Sequence, residues 1–145
     1  MVRMSSRRTP RRPHSAVRAA SPCPCGLPAE YGACCGRLHE GRAAAANPEA
    51  LMRSRYAAFA VRDPAYLLRT WHPSTRPPGL ELDEGTRWLG LEILGSTEGS
   101  AFHSTGTVTF RARWTEGGRP GALHERSRFE RLNGAWVYVD GDLLD

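Results

Sequence analysis

The chain has 145 residues, with 20 basic and 15 acidic side chains for a formal charge of +5. That length suits one main domain with a real core, and no apolar run approaches membrane-spanning length, so the sequence reads as soluble and cytoplasmic with no membrane partner. Six of the basic residues (Arg3, Arg7, Arg8, Arg11, Arg12 and Arg18) fall in residues 1–22, where there is no acid; the other 14 face all 15 acids, so the basicity belongs to an arm and implies no specific nucleic-acid partner.

Residues 1–21 are rich in Arg, Ser and Pro and show no apolar periodicity. Such a composition does not repay the entropy of folding, so a disordered arm is expected there. All four cysteines follow at once, as Cys23, Cys25, Cys34 and Cys35 in the spacing C-x-C-x8-C-C. No apolar stretch of signal length follows the arm, which places these thiols in a reducing compartment where structural disulfides seldom persist. A soft tetrahedral metal site accounts for the cluster. Two thiolates sit in a loop whose turn Gly26 eases, and the chain returns eight residues later with two more. Redox chemistry and unligated thiols are the competing readings. Zinc in a structural role is the expected cofactor. His39, four residues beyond Cys35, is an alternative fourth donor, so the set is either four cysteines or three cysteines and a histidine.

"CPCG" followed by "EYGACCGRLHEG" resembles the SEC-C motif, the zinc-binding module first noted at the C-terminus of the preprotein translocase motor SecA. The resemblance implies metal ligands at Cys23, Cys25, Cys34 and Cys35, the last standing where the motif has His or Cys. Leu27-Pro28 replaces the usual Ser-Gly after "CPCG", and Glu30 precedes Tyr31 where the motif is usually basic.

Further along, Asn47 is a good N-cap, Pro48 suits the first helical position and Glu49 favours the positive helix end, which predicts a helix from Pro48 to about Arg62. Met52, Tyr56 and Phe59 recur at helical spacing as its buried stripe. Asp63-Pro64 restarts a short helix to about Thr70, which the Pro-rich "HPSTRPPG" ends. From residue 86 the period becomes two, and "RWLGLEIL", "STGTVTFRARW", "HERSRFERL" and "AWVYVD" predict four strands, with turns at Thr97 to Ser100, "TEGGRPG" and Asn133-Gly134. Asn-Gly favours a two-residue hairpin. Leu132 opposite Ala135 then sets Arg131 against Trp136, Phe129 against Tyr138 and Ser127 against Asp140 on one face. The other face receives Glu130 with Val137, Arg128 with Val139, Arg126 near Gly141, and His124. Helices followed by an antiparallel sheet make the fold class α+β.

"LMRSRYAAF", "YLLRTWHPSTRP", "WLGLEIL", "HERSRF" and "WVYVDG", in that order, resemble the YchJ family of bacterial proteins, in which a SEC-C motif precedes a domain of the nuclear transport factor (cystatin-like) fold. The resemblance covers about residues 22–141 and implies a division into an arm (1–21), a zinc knuckle (22–42) and an α+β cone of helices on a curved sheet (43–145). It implies no reaction. In that fold the open end of the cone holds a ligand or an active site, and the residues expected there are Arg53, Arg55, Tyr56, Trp71, His72, His124, Arg126, Arg128 and Asp140. If the face carrying Arg126 and Arg128 is concave, unpaired guanidiniums there select a small anionic ligand; pairing by protein acids such as Glu92 or Glu130 makes the site structural instead. The sequence carries no nucleophile elbow, phosphate loop or dinucleotide fingerprint. The favoured function is a zinc-binding module whose cone serves binding or interaction. A second reading is a small-molecule hydrolase or isomerase pairing Asp140 with His124 or His72. A third is a ribosome- or secretion-linked accessory whose knuckle contacts a protein partner.

Overall fold

Asn47 opens the longest helix as its chemistry predicts: its side chain accepts from the Ala50 N–H at 2.8 Å, and Pro48 and Glu49 fill the first turn. This is seen in a computed structural model that describes residues 17–98 and 100–145. In chain order a 3-10 turn (Tyr31–Ala33) and α1 (Cys35–His39) form the knuckle. They are followed by α2 (Pro48–Val61) and α3 (Pro64–Arg69). Four strands complete the chain: β1 (Thr86–Glu98), β2 (Thr105–Glu116), β3 (Arg119–Leu132) and β4 (Ala135–Leu143). Arg62 closes α2 in the left-handed conformation, and the Asp63 carboxylate, accepting from the Tyr66 N–H at 3.1 Å, starts α3. The strands form one antiparallel meander in the order β1-β2-β3-β4. Among the described residues no helix is long and apolar enough to cross a membrane.

Four details differ from the sequence expectations. The turn expected at Thr97 to Ser100 comes later, because Thr97 and Glu98 still pair with Thr107 and Gly106. Residues 1–16 of the expected arm lie outside the described residues, whereas Ala19 and Ser21 are held by the knuckle: their carbonyls accept from the Gly32 and Tyr31 N–H groups at 2.9 and 2.7 Å. The turn in "TEGGRPG" is narrower than expected, because only Gly117 and Gly118 lie outside the ladder and Arg119 already pairs with Glu116. The β3–β4 hairpin keeps the expected register from Leu132↔Ala135 to Phe129↔Tyr138, then slips by one residue. A bulge leaves Val139 unpaired, so Arg128 meets Asp140, Ser127 meets Gly141 and Arg126 meets Asp142. Bulges increase local twist, and β1 carries two more, at Leu89 and Leu94. Together they curl the sheet around α2.

The helix α2 is buried on nearly every side because three surfaces meet it. Leu51, Met52 and Tyr56 join Val108, Phe110, Ala112, Phe129 and Trp136 of the sheet. Ala57 packs on the cysteines, and Ala58 on Leu38, Tyr66 and Leu67. The free edge of β4 is covered where Tyr138 exchanges backbone hydrogen bonds with Thr70 (2.8 Å) and His72 (2.7 Å) of the segment after α3.

Candidate metal centre and cone pocket

Gly26, at φ 92°, turns the chain directly after Cys25, and its N–H bonds the Cys23 carbonyl at 3.2 Å. That turn and the start of α1 converge four sulfurs that all lie within 4.8 Å of one another, and none is in a disulfide. Cys25 and Cys34 place their sulfurs 3.7 Å apart. A tetrahedral ion with metal–sulfur bonds of about 2.3 Å sets its sulfurs about 3.8 Å apart, so the cage has the right size. The thiols compete for protons: hydrogen bonds from Cys25 and Cys35 hold the Cys23 thiol far below its ordinary range, the bond to Cys23 drives Cys35 far above it, and burial pushes Cys34 up to about 11. A bound cation removes this competition by taking the place of the protons.

His39, the alternative donor, is committed elsewhere. Its Nδ1 lies 2.6 Å from the Tyr31 hydroxyl and its Nε2 lies 2.8 Å from the Ser54 carbonyl. Burial pushes Tyr31 up to about 12, so the phenol donates to Nδ1 and the imidazole Nε2–H donates to α2. The Ser54 hydroxyl continues the chain to Tyr66 at 2.7 Å. Arg53 also serves the knuckle rather than the cone, donating to the Cys25 carbonyl at 2.9 Å while paired with Glu49. Positions 53 and 54 of α2 therefore grip the cysteine loop from outside the four sulfurs.

The opposite side of α2 faces a cavity of about 240 Å³ against the sheet. Met52, Tyr56, Phe59, Trp88, Phe110, Ala112 and Leu123 make its apolar wall, and Arg55, Glu125, Ser127 and Tyr138 make a polar end. Arg55 is 4% exposed; its Nη1 donates to the Leu67 carbonyl (2.8 Å) and to Thr70 Oγ1 (2.7 Å). Its guanidinium lies 5.1 Å from the Trp71 ring centre and 4.6 Å from that of Tyr138. Among the described residues no carboxylate forms an ion pair with it. Burial draws its pKa down to about 10, which leaves it charged at neutral pH. Burial likewise pushes Tyr56 up to about 12 and raises Tyr138.

Of the nine residues expected in the cone, Arg55 and Tyr56 line the cavity and Trp71 supports Arg55 from behind. The others do not join them. Arg126 and Arg128 alternate with Glu125, Ser127 and Phe129 and so project from the convex face. There Arg128 pairs with Asp140 (2.6 Å) and Asp142 (2.7 Å), and Arg126 with Asp142 (3.5 Å). Their pairing is structural, by acids other than Glu92 or Glu130, because the bulge brings Asp140 and Asp142 into register. Neither His72 nor His124 pairs with Asp140: His72 lies 3.3 Å from Glu130, His124 Nδ1 lies 3.0 Å from the Asp145 carbonyl, and Asp140 is taken by Arg128. Sequence reasoning missed Glu125, Ser127 and Tyr138 as site residues. Their signal was alternation, since residues 125, 127, 129 and 131 share a face whose hairpin partners include Tyr138 and Trp136.

A family model described as "YchJ, middle NTF2-like domain" matches residues 47–141. A UPF0225 protein of Streptomyces coelicolor is 65% identical over 86% of this chain and 97% of its own. One of Cupriavidus pinatubonensis is 48% identical over 97% of each. Among solved structures, a SEC-C motif containing protein from Rhodopseudomonas palustris superposes with a TM-score of 0.73 at 39% identity, covering 85% of this chain and 98% of that one. Another, from Psychrobacter arcticus, gives 0.70 at 26% identity over 88% of this chain and 85% of that one. With a SEC-C cysteine cage docked on an NTF2-like cone, and relatives this similar along nearly its whole length, the chain belongs to the YchJ family.

Proposed function

We propose that the protein is a cytoplasmic zinc-binding protein whose cone binds a small organic carboxylate. Zinc follows from the donor set: four thiolates in a closed tetrahedral cage suit a redox-inert ion in a structural role. Four cysteines without a disulfide fit a reducing compartment. The observation that carries the ligand reading is Arg55, a charged guanidinium buried at the end of an apolar cavity with no ion-paired carboxylate among the described residues. Burying such a charge costs several kcal/mol unless an anion meets it, and the guanidinium fork matches a carboxylate. A cone serving only as an interaction scaffold has no need of this cavity and is better filled by side chains.

Two measurements test the reading. Elemental analysis of protein prepared under reducing, chelator-free conditions should find about one zinc per chain. Thermal shift on the zinc-loaded chain should then show stabilisation by small aromatic or branched carboxylates, by about 3 kcal/mol at a hundredfold excess over Kd. Absence of metal refutes the first half, and no response to any carboxylate refutes the second.

A further inference from the structure

Arg55 and Glu125 line the same cavity without an ion pair between them, and Tyr138 explains how they are held apart. Its ring carries the guanidinium at 4.6 Å, while its hydroxyl donates to Glu125 Oε2 at 3.2 Å. Ser127 Oγ, in a residue 1% exposed, donates to the same oxygen at 2.7 Å. Both donors take Oε2, and among the described residues Oε1 has no hydrogen-bond partner. The group is also backed by the strand behind it: a Cβ built on Gly141 would come within 2.6 Å of Glu125 Cδ, so the carboxyl occupies the space that a side chain at 141 would need. The polar end is thus two fixed groups of opposite character, one positive and one accepting.

We propose that the ligand carries a hydrogen-bond donor beside its acid, which makes its class 2-hydroxy or 2-amino acids with an apolar side chain; this rests on the reading that Arg55 takes a carboxylate. A plain carboxylate at Arg55 faces the Glu125 carboxyl across a low-dielectric gap, which disfavours it. A hydroxyl or ammonium on the adjacent carbon turns that contact into a charge-assisted hydrogen bond. The side chain then lies along the wall of Met52, Phe59, Trp88 and Phe110. A volume of about 240 Å³ falls below the ~300–1,000 Å³ of sites for drug-sized ligands, so the enclosed tail is one ring or one branched chain.

Isothermal titration calorimetry on the zinc-loaded full chain tests this with two series. The first is L-phenylalanine, phenyllactate, 3-phenylpropanoate, which lacks the donor, and phenethylamine, which lacks the acid. The second is L-leucine, 2-hydroxy-4-methylpentanoate and 4-methylpentanoate. In at least one series a donor-bearing acid should bind at least about tenfold tighter than its plain counterpart, the amine should not bind, and Glu125→Gln should shrink the difference. The tighter of the amino and hydroxy acids identifies the donor. If plain and substituted acids bind equally, the donor inference falls while the Arg55 reading stands. If no acid in either series binds, both fall. The comparison on the unaltered protein decides the matter even if Glu125→Gln fails to fold.

Discussion

Replacing His39 by Ala separates a metal ligand from a docking residue. The structure gives His39 two hydrogen bonds, at 2.6 Å from Tyr31 and 2.8 Å to Ser54, and a tilted contact with the Tyr66 ring at 4.6 Å between centres. Each hydrogen bond contributes about 0.5–1.5 kcal/mol net, and the ring contact about as much again, so the variant should lose about 2–4 kcal/mol. For a chain of this size that corresponds to a fall in Tm of roughly 10 °C. The assay pairs thermal unfolding of the zinc form with the visible spectrum of the cobalt-substituted protein. Cobalt reports its donor atoms directly, so the bands of a four-sulfur site should be unchanged in His39→Ala and altered in Cys35→Ala. Tyr31→Phe removes only one of the hydrogen bonds and should cost about 1 kcal/mol, with no further loss of that bond when combined with His39→Ala. A shift of the cobalt bands in His39→Ala, or loss of metal stoichiometry, refutes the four-cysteine assignment and makes His39 the fourth donor.

Chelating the metal should release residues 18–40 from protection against amide exchange while the four strands stay protected, since the knuckle is too short to fold on apolar burial alone; simultaneous loss throughout would show that the cone depends on the knuckle. Gly141→Ala should displace the Glu125 carboxyl, break its bonds to Ser127 and Tyr138 and cost about 1–3 kcal/mol by denaturant midpoint, whereas an unchanged midpoint means that the carboxyl is not held there. On the convex face, hydrogen bonding to Arg128 holds the Asp142 carboxyl below its ordinary range. A depressed folded pKa contributes stability that is present above the ordinary carboxylate range and lost as pH falls through the lowered value. Arg128→Gln should therefore move the Asp142 titration upward in carboxyl 13C NMR with little change in stability at neutral pH, the pair being exposed; an ordinary Asp142 titration in the unaltered protein contradicts the pairing.

The cysteine cage was legible in the sequence because its members are local: four cysteines within a short loop can hardly avoid one another. The helix starts at Asn47 and Asp63 and the Asn133-Gly134 hairpin were legible for the same reason, since caps and tight turns are settled by three or four adjacent residues. The pocket was not. Strict alternation separated Phe129 and Ser127 correctly from Arg128 and Arg126, but the bulge at Val139 reset every pairing beyond it and gave the two arginines Asp140 and Asp142. Which face became concave depended on what α2 could cover, and the cost of desolvating arginines against the gain from burying Phe129 and Trp136 is a comparison between distant segments. Arg55 shows the limit most clearly. The family resemblance placed it among the candidates, but its burial, its bonds to Leu67 and Thr70 and its seat on Tyr138 come from three elements that meet only in the folded chain.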